Sequence, residues 1–310
     1  MDWRGLTLDD WEPGLQIQPE LFGTDALPAD SARRLWADLL AAPGFKGAAV
    51  TGRDSLGRPQ LYAFGASVFV DDAFACQELE MPRPGLNGRV AKSIRARNNI
   101  VFSRSKIAAA NGGGGLNVVV LAGRWNPAVV DEKEIEEARL HLVSSFASLH
   151  AGYRFKRIMI ELTNKQDHRF ASEVPFMRTH HQFDACRALA VVERKDIQAN
   201  QGSVLAPNFF GPLPKLFLGA LEQELLLSAI DGAIDEEIGR RLGLTTRSVK
   251  RRWRVVFEQV SRSLPELFPE TVNSELETRG RQKRHLVLAY VRKHPEELRP
   301  FCGSESRGEP

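Results

Sequence analysis

The sequence is short of cysteine, of long apolar runs and of net charge, and each shortage excludes a class of protein. Cys76, Cys186 and Cys302 are odd in number and lack metal-ligand spacing, which is typical of a reducing compartment. The longest apolar runs, such as residues 116–122, are too short to span a bilayer, and the N-terminus has no apolar segment of signal-peptide length. We therefore expect a cytoplasmic protein with no membrane partner.

A net charge of only +3 over 310 residues permits a nucleic-acid partner but does not indicate one. Hydrophobic residues make up 43% and charged residues 26% of the chain, which are values typical of globular proteins. The length is enough for two domains, each with its own core.

Strands and helices alternate in the first two thirds of the chain, which predicts an α/β (α+β) domain. The first 25 residues are rich in Pro, Gly and Asp and are expected to be irregular. The spacing of apolar residues predicts a helix over 28–45, strands over 47–54, 59–70, 98–104 and 116–123, and a long helix over 131–162 with a break near Gly152.

Composition changes near residue 200 and suggests the division of the chain. We expect an N-terminal sensor or dimerisation domain over 1–200, a linker rich in Pro and Gly over 201–217, and an all-α helix-turn-helix domain over 218–301. A disordered tail follows over 302–310. The predicted fold class is thus a sensor-like α/β domain followed by an all-α domain.

The segment after the linker contains the parts of a helix-turn-helix. Helices are predicted over 221–232 and 235–243, the second capped by Asp235 and ended by Gly243. A third, basic helix has Thr245 or Thr246 as its N-cap and runs to Val260. A short helix, a tight turn and a longer basic helix are typical of this DNA-binding motif.

The third helix separates its cations from its apolar face. Four cations form an outward stripe while Val249, Trp253 and Val256 face inward, and Arg240 and Arg241 end the preceding helix. An α-helix fits the major groove of duplex DNA, where Arg and Lys contact guanine edges or phosphates. The candidate DNA-binding residues are Thr245, Thr246, Arg247, Lys250, Arg251, Arg254, Arg240 and Arg241.

Residues 221–260 resemble the helix-turn-helix of LuxR-type (GerE-like) transcription regulators without a gap. The matching positions are Glu222, Glu224, Leu225, Leu226, Gly232, Glu237, Ile238, Leu242, Leu244, Thr245, Val249 and Lys250. Gly239 stands where the family usually has alanine, and Arg252 where it usually has histidine. The resemblance implies a transcription regulator that binds double-stranded DNA, commonly as a homodimer. A small-molecule effector, contact with RNA polymerase, and activation or repression stay open.

Other candidate sites lie in the N-terminal region. The run Asn-Gly-Gly-Gly-Gly before residue 116 fits neither a P-loop nor a dinucleotide fingerprint and predicts a flexible hairpin turn. Possible metal ligands are His180, His181, Asp184 and Cys186. Helical spacing would suit two of them, but no third ligand has suitable geometry, so no metal is expected. No cofactor is expected either.

Residues 65–70 and 85–94, with His141 and His150 on the long helix, are loosely similar to the coenzyme A-binding elements of GNAT-type acyltransferases. The glycine motif of that family is absent. No Ser-His-Asp or paired-carboxylate arrangement can be assembled from spacing. The sequence therefore predicts a DNA-binding regulator that is not an enzyme, and the alternative is an acyltransferase-like enzyme with a DNA-binding appendage.

Overall fold

A computed structural model describes residues 1–23, 28–53, 56–98, 100–172, 176–200, 202–268 and 278–302, with the backbone alone for 278–281. The chain forms two compact units. Unit 1 comprises Met1–His150 and Arg154–Phe210, and unit 2 comprises Ala151–Tyr153 and Gly211–Pro310. The division after Phe210 falls within the predicted linker, whereas Gln201 and the tail over 303–310 lie outside the described residues.

Unit 1 is built on a seven-stranded mixed sheet. Its order is β1-β2-β3-β4-β5-β7-β6. Among the described strands, β4 and β5 pair in parallel and the other neighbours pair antiparallel. The strands are β1 Asp2–Gly5, β2 Phe45–Arg53, β3 Pro59–Val70, β4 Leu116–Trp125, β5 Phe155–Leu162, β6 Arg178–Gln182 and β7 Ala188–Glu193.

Helices cover both faces of this sheet. Those of unit 1 are α1 Trp11–Ile17, α2 Ala29–Ala41, α3 Asp72–Glu80, α4 Leu86–Arg95, α5 Arg104–Gly112, α6 Glu132–His150, α7 Lys165–Ser172, α8 Arg194–Gln198 and α9 Ala206–Phe210. On one face, Trp36 and Leu39 of α2 and Val90 of α4 pack against Val119 and Leu121. On the other face, Ala138 and Leu142 of α6 pack against Val50 and Trp125. Apolar faces of a sheet and its helices are buried together in this way because neither can be left in water.

Unit 2 contains the helices α10 Ala220–Ile230, α11 Asp235–Leu242, α12 Thr246–Ser263 and α13 Thr278–Lys293. Its core joins Leu225 and Ile238 to Val249, Trp253 and Val256 of α12. Thr245 caps α12, since its side chain accepts a hydrogen bond from the Ser248 amide. The residue before α11 is Ile234, so Asp235 is the first residue of that helix and not its cap.

The predicted fold class is corrected. The chain is a mixed α/β protein with one seven-stranded sheet, rather than a sensor-like domain followed by an all-α domain. Two sequence predictions in this unit were wrong. Residues 1–25 contain β1 and α1 instead of irregular chain, and the predicted helix over 131–162 ends at His150. Residues 155–162 are strand because β-branched Ile158 and Ile160 suit a sheet, and Gly152 at φ +82 breaks the helix.

Two smaller interpretations were also wrong. The predicted strand over 98–104 is one isolated bridge between Val70 and Val101, after which α5 begins at Arg104; Asn99 lies outside the described residues. The glycine run before residue 116 joins α5 to β4 and is not a hairpin turn. Gly115 has φ +97, and a Cβ there would lie 2.8 Å from the backbone of Phe155, so close approach to β5 demands glycine.

Candidate functional site

A β-bulge in β4 shapes the centre of unit 1. Ser67 pairs with Val120 and Ala66 with Ala122, which leaves Leu121 as the extra residue of the bulge. Leu121 and Ala122 consequently face the same side of the sheet. The alternation of side chains is reversed beyond this point.

The bulge lies where β4 and β5 part. Their paired residues run from Leu116 and Phe155 to Val120 and Ile160, while β4 continues to Trp125. The carbonyl of Leu121 accepts hydrogen bonds from two side-chain amides, Gln18 Nε2 at 2.9 Å and Asn87 Nδ2 at 2.7 Å. Side-chain donors therefore replace the backbone N–H that would bond to this carbonyl if the two strands stayed paired.

The two amides present unsatisfied oxygen atoms. Because a carbonyl can only accept, the NH₂ groups of Gln18 and Asn87 must face Leu121 and their oxygens must point elsewhere. Among the described residues, neither Gln18 Oε1 nor Asn87 Oδ1 has a hydrogen-bond partner. Gln18 is 3% exposed, so a missing partner is costly there, and a buried acceptor without a donor indicates a ligand position.

A mostly apolar cavity of about 150 Å³ lies at this opening. Its lining includes Gln18 and Leu121 from one layer and Leu142, Phe146 and Leu149 from the α6 layer on the other face. Side chains on both faces can line one cavity only where the sheet itself is open. The cavity therefore crosses the sheet between β4 and β5.

Charged groups close one part of the cavity wall. Arg124, turned by the bulge, forms two hydrogen bonds with the Asp167 carboxylate at 2.9 and 3.1 Å and one with Glu20 at 2.6 Å. Burial alone would lower the pKa of Arg124, but the contacts with Asp167 and Glu20 outweigh it and raise that pKa. Burial raises the pKa of Glu20, but its hydrogen bonds and the charge of Arg124 lower that pKa by more. The pKa of Glu20 is therefore below its ordinary value, and the ionised form is favoured.

Glu161 of β5 also lines the cavity and fixes the start of α4. Its carboxylate accepts from the amides of Gly85 and Leu86 and from Arg187 Nη2 at 2.8 Å. Through these contacts Glu161 holds the start of α4 in position. The residues 65–70 and 85–94, expected to form a strand, turn and helix, are separated by α3 and do not form that unit.

Ser67 and His150 provide the polar groups of the α6 side. The two residues are 83 positions apart in sequence and both line the cavity. Their side chains are in contact at 3.0 Å. Spacing could not reveal this pair because the contact joins a strand to the end of a helix.

The sequence-predicted DNA-binding residues lie on the surface of unit 2. The predicted DNA-binding cations of α12 and the two at the end of α11 are exposed, and no ion pair is found for these six within the described part of the chain. Thr246 is half-buried and Thr245 is the cap of α12. Arg252 differs from its neighbours, because it is half-buried and pairs with Glu222 at 2.9 Å. The exposed cations are Arg240, Arg241, Arg247, Lys250, Arg251 and Arg254.

The four residues considered as metal ligands have other roles. His180 Nε2 lies 2.8 Å from the Leu79 carbonyl, and the Asp184 carboxylate accepts from the amides of Cys186 and Arg187. His181 packs on Phe183. No group of three metal-binding side chains is found among the described residues. In the same part of the chain, no helix is long and apolar enough to cross a membrane.

No family model matches the sequence, and no curated protein matches it significantly. A solved structure, FeeM, an N-acyl amino acid synthase from uncultured soil microbes, is similar to this chain at 13% identity with a TM-score of 0.34. The similarity covers 62% of this chain and 95% of the synthase. That structure is of an enzyme, whereas the sequence predicted a chain that is not one. The cavity, and not this likeness, carries the proposal that follows.

Proposed function

We propose that unit 1 is an acyltransferase that moves an acyl group from a thioester to an amine. The observation that carries the proposal is the apolar cavity that crosses the sheet beside the β4 bulge. Apolar walls with a few convergent polar groups are typical of small-molecule sites. A cavity of about 150 Å³ accommodates an apolar group of roughly benzene size, which suits a short acyl chain.

The polar groups at the opening suit the reacting end of the substrates. Gln18 Oε1 is an acceptor without a donor, and we assign it to an N–H of the acceptor amine. Arg124 of the cavity wall pairs with two carboxylates, Glu20 and Asp167, and this excess of negative charge attracts a protonated amine before transfer. A thioester is the donor class because its thiolate leaves without acid assistance.

The test is product formation by the purified full-length chain. Acyl thioesters of increasing length are supplied with amino acids or simple amines, and N-acyl products are detected by mass spectrometry. We expect products from the parent and a rate at least tenfold lower for Gln18→Leu, which keeps the volume of the side chain and removes its acceptor. If the parent forms no N-acyl product from any donor, unit 1 is not an acyltransferase of this class.

A second function is proposed for unit 2, which is contact between α12 and duplex DNA. The observation that favours it is the exposed stripe of Arg247, Lys250, Arg251 and Arg254 opposite a buried apolar face. The LuxR-type resemblance supports the same proposal and implies two copies on two half-sites.

Alanine substitutions in this stripe should weaken DNA binding and leave the fold intact, because the side chains are exposed. Loss of a contact to a base edge should cost about 1–3 kcal/mol, whereas loss of a phosphate contact should mainly reduce the salt dependence. Selection of a binding sequence followed by titration at several salt concentrations measures both effects. Arg262→Ala is the control, since Arg262 is exposed in the last turn of α12 and carries the same charge. Equal affinity of all four variants and the parent would refute the assignment.

A further inference from the structure

Ser67 and His150 form a buried pair in the wall of the cavity. Ser67 lies in β3 and His150 is the last residue of α6. Ser67 Oγ is 3.0 Å from His150 Nε2, and the residues are 2% and 1% exposed. A hydroxyl and an imidazole at this distance are the first two parts of an activated nucleophile.

The hydrogen bonds of His150 fix which nitrogen can accept a proton. His150 Nδ1 is 2.8 Å from the Phe146 carbonyl, and because a carbonyl only accepts, Nδ1 carries the hydrogen. In the neutral ring Nε2 is then bare and accepts from the Ser67 hydroxyl. The alternative acceptor for that hydroxyl, the Lys46 carbonyl, is 3.5 Å away, which is too long for a good O–H···O bond.

The imidazole is also held in place. Its centroid lies 4.1 Å from that of Phe146, 5.4 Å from that of Phe155 and 5.8 Å from that of Phe69. These rings restrict rotation of the imidazole and exclude water from it. The Phe146 carbonyl therefore acts as the third, orienting group that a nucleophile and its base require.

Another hydroxyl in the same wall lacks this arrangement. Ser145 also lines the cavity and is 1% exposed, but its Oγ donates to the Leu142 carbonyl within its own helix. The buried hydroxyl of Ser145 is thus satisfied within its own helix, whereas the buried hydroxyl of Ser67 is hydrogen-bonded to a base.

We propose that Ser67 is a covalent nucleophile that receives the acyl group before the amine does; this inference rests on the proposed acyl transfer. Ser67 Oγ attacks the thioester carbonyl carbon while His150 Nε2 takes the hydroxyl proton. The C–S bond breaks and the thiolate leaves, after which it takes the proton held by His150 and becomes a free thiol. The amine loses its extra proton to solvent and, as the neutral base, attacks the Ser67 ester. The C–O bond breaks, and the remaining proton released by the amine returns through His150 to Ser67 Oγ. No oxidant or reductant is needed.

The experiment is intact mass spectrometry of the full-length chain after incubation with a hexanoyl thioester and no amine. We expect an increase of one hexanoyl group in the parent and in the control Ser144→Ala, an exposed position of α6 outside the cavity wall. The label should map to the peptide that contains Ser67. Ser67→Ala should show no label and at least a hundredfold loss of N-acyl product. Ser67→Cys should regain a label, and that label should be released by hydroxylamine.

The outcomes separate this inference from the proposed function. Full transfer by Ser67→Ala, or a parent that makes product but whose mapped peptide carries no label, would overturn the nucleophile while the acyltransferase stands. A parent without product removes both. Because the label is mapped in the parent chain, the result does not depend on whether a variant folds.

Discussion

Gly239 shows why a residue must be judged by its contacts rather than by its propensity. A helix interior usually favours alanine over glycine by about 1 kcal/mol. A Cβ at Gly239, however, would lie 2.7 Å from the carbonyl oxygen of Leu244, and the Leu244 amide donates to the Gly239 carbonyl at 2.8 Å. The turn between α11 and α12 closes over this glycine.

We therefore expect Gly239→Ala to destabilise unit 2, although helix propensity alone predicts that it would stabilise the unit. The expected loss is about 1–3 kcal/mol, since the backbone must shift to relieve the contact. Urea unfolding followed by circular dichroism measures it, with Glu236→Ala at an exposed position of the same helix as the control. Stabilisation by Gly239→Ala would show that the turn relaxes freely.

Glu20 makes the stability of the folded protein depend on pH. Its folded-state pKa is lowered, so its contribution to stability is present above the unfolded value, 4.5, and is lost as pH falls through the folded value. Below about pH 4.5 the parent should therefore lose stability more steeply than Glu20→Gln. Thermal unfolding across an acid series provides the comparison, and parallel curves would contradict the role of the Arg124 contact.

At the scale of the element, α12 was the most predictable part of the chain. A separate apolar face and basic stripe need only a regular helix, so Val249, Trp253 and Val256 are buried as expected and the stripe is exposed. Asp235 was misread because its partners are distant in sequence. Its carboxylate accepts from Arg284 at 2.9 Å and from Trp253 Nε1 at 3.3 Å instead of capping α11.

Trp253→Ala should lower the free energy of unfolding of unit 2 by about 3–5 kcal/mol. Trp253 is 2% exposed and lies under the Arg284 guanidinium, 4.7 Å from the ring. Arg254→Ala, at the next position on the exposed side, should leave stability unchanged. Chemical unfolding of both variants makes the comparison, and equal losses would mean that the two faces of α12 are assigned wrongly.

The strand β4 shows what sequence alone could not supply. Alternation of apolar residues predicted a strand over 116–123, but a pattern of side chains does not reveal an extra residue in the hydrogen-bond ladder. The bulge at Leu121 depends on the register against β3, and it turns Arg124 towards Glu20 and Asp167. The position of the cavity follows from that register.

At the scale of the whole molecule, the sequence indicated two parts and placed the change of composition near the observed division at Phe210. It predicted DNA binding first, because the cations of α12 are neighbours in sequence, and an acyltransferase-like enzyme only as the alternative. The groups of the candidate active site come from the residue that follows α1 and from β3, β4 and α6, so they meet only in the folded unit. Local sequence patterns therefore predicted the exposed cations of α12 but could not predict the cavity of unit 1.

The dependence of acyl transfer on chain length tests the central claim most directly. Each buried CH₂ contributes about 0.8 kcal/mol, so kcat/KM should rise roughly fourfold per added CH₂ until the cavity is filled. Gly123 lines the cavity, and a Cβ there meets no atom within 4 Å, so the side chain of Gly123→Leu has room to start towards the cavity. We expect the optimum to move to shorter donors in Gly123→Leu and to stay unchanged in Gly5→Leu, where the added Cβ is also free of contact. Identical chain-length profiles for Gly123→Leu and the parent would contradict the account.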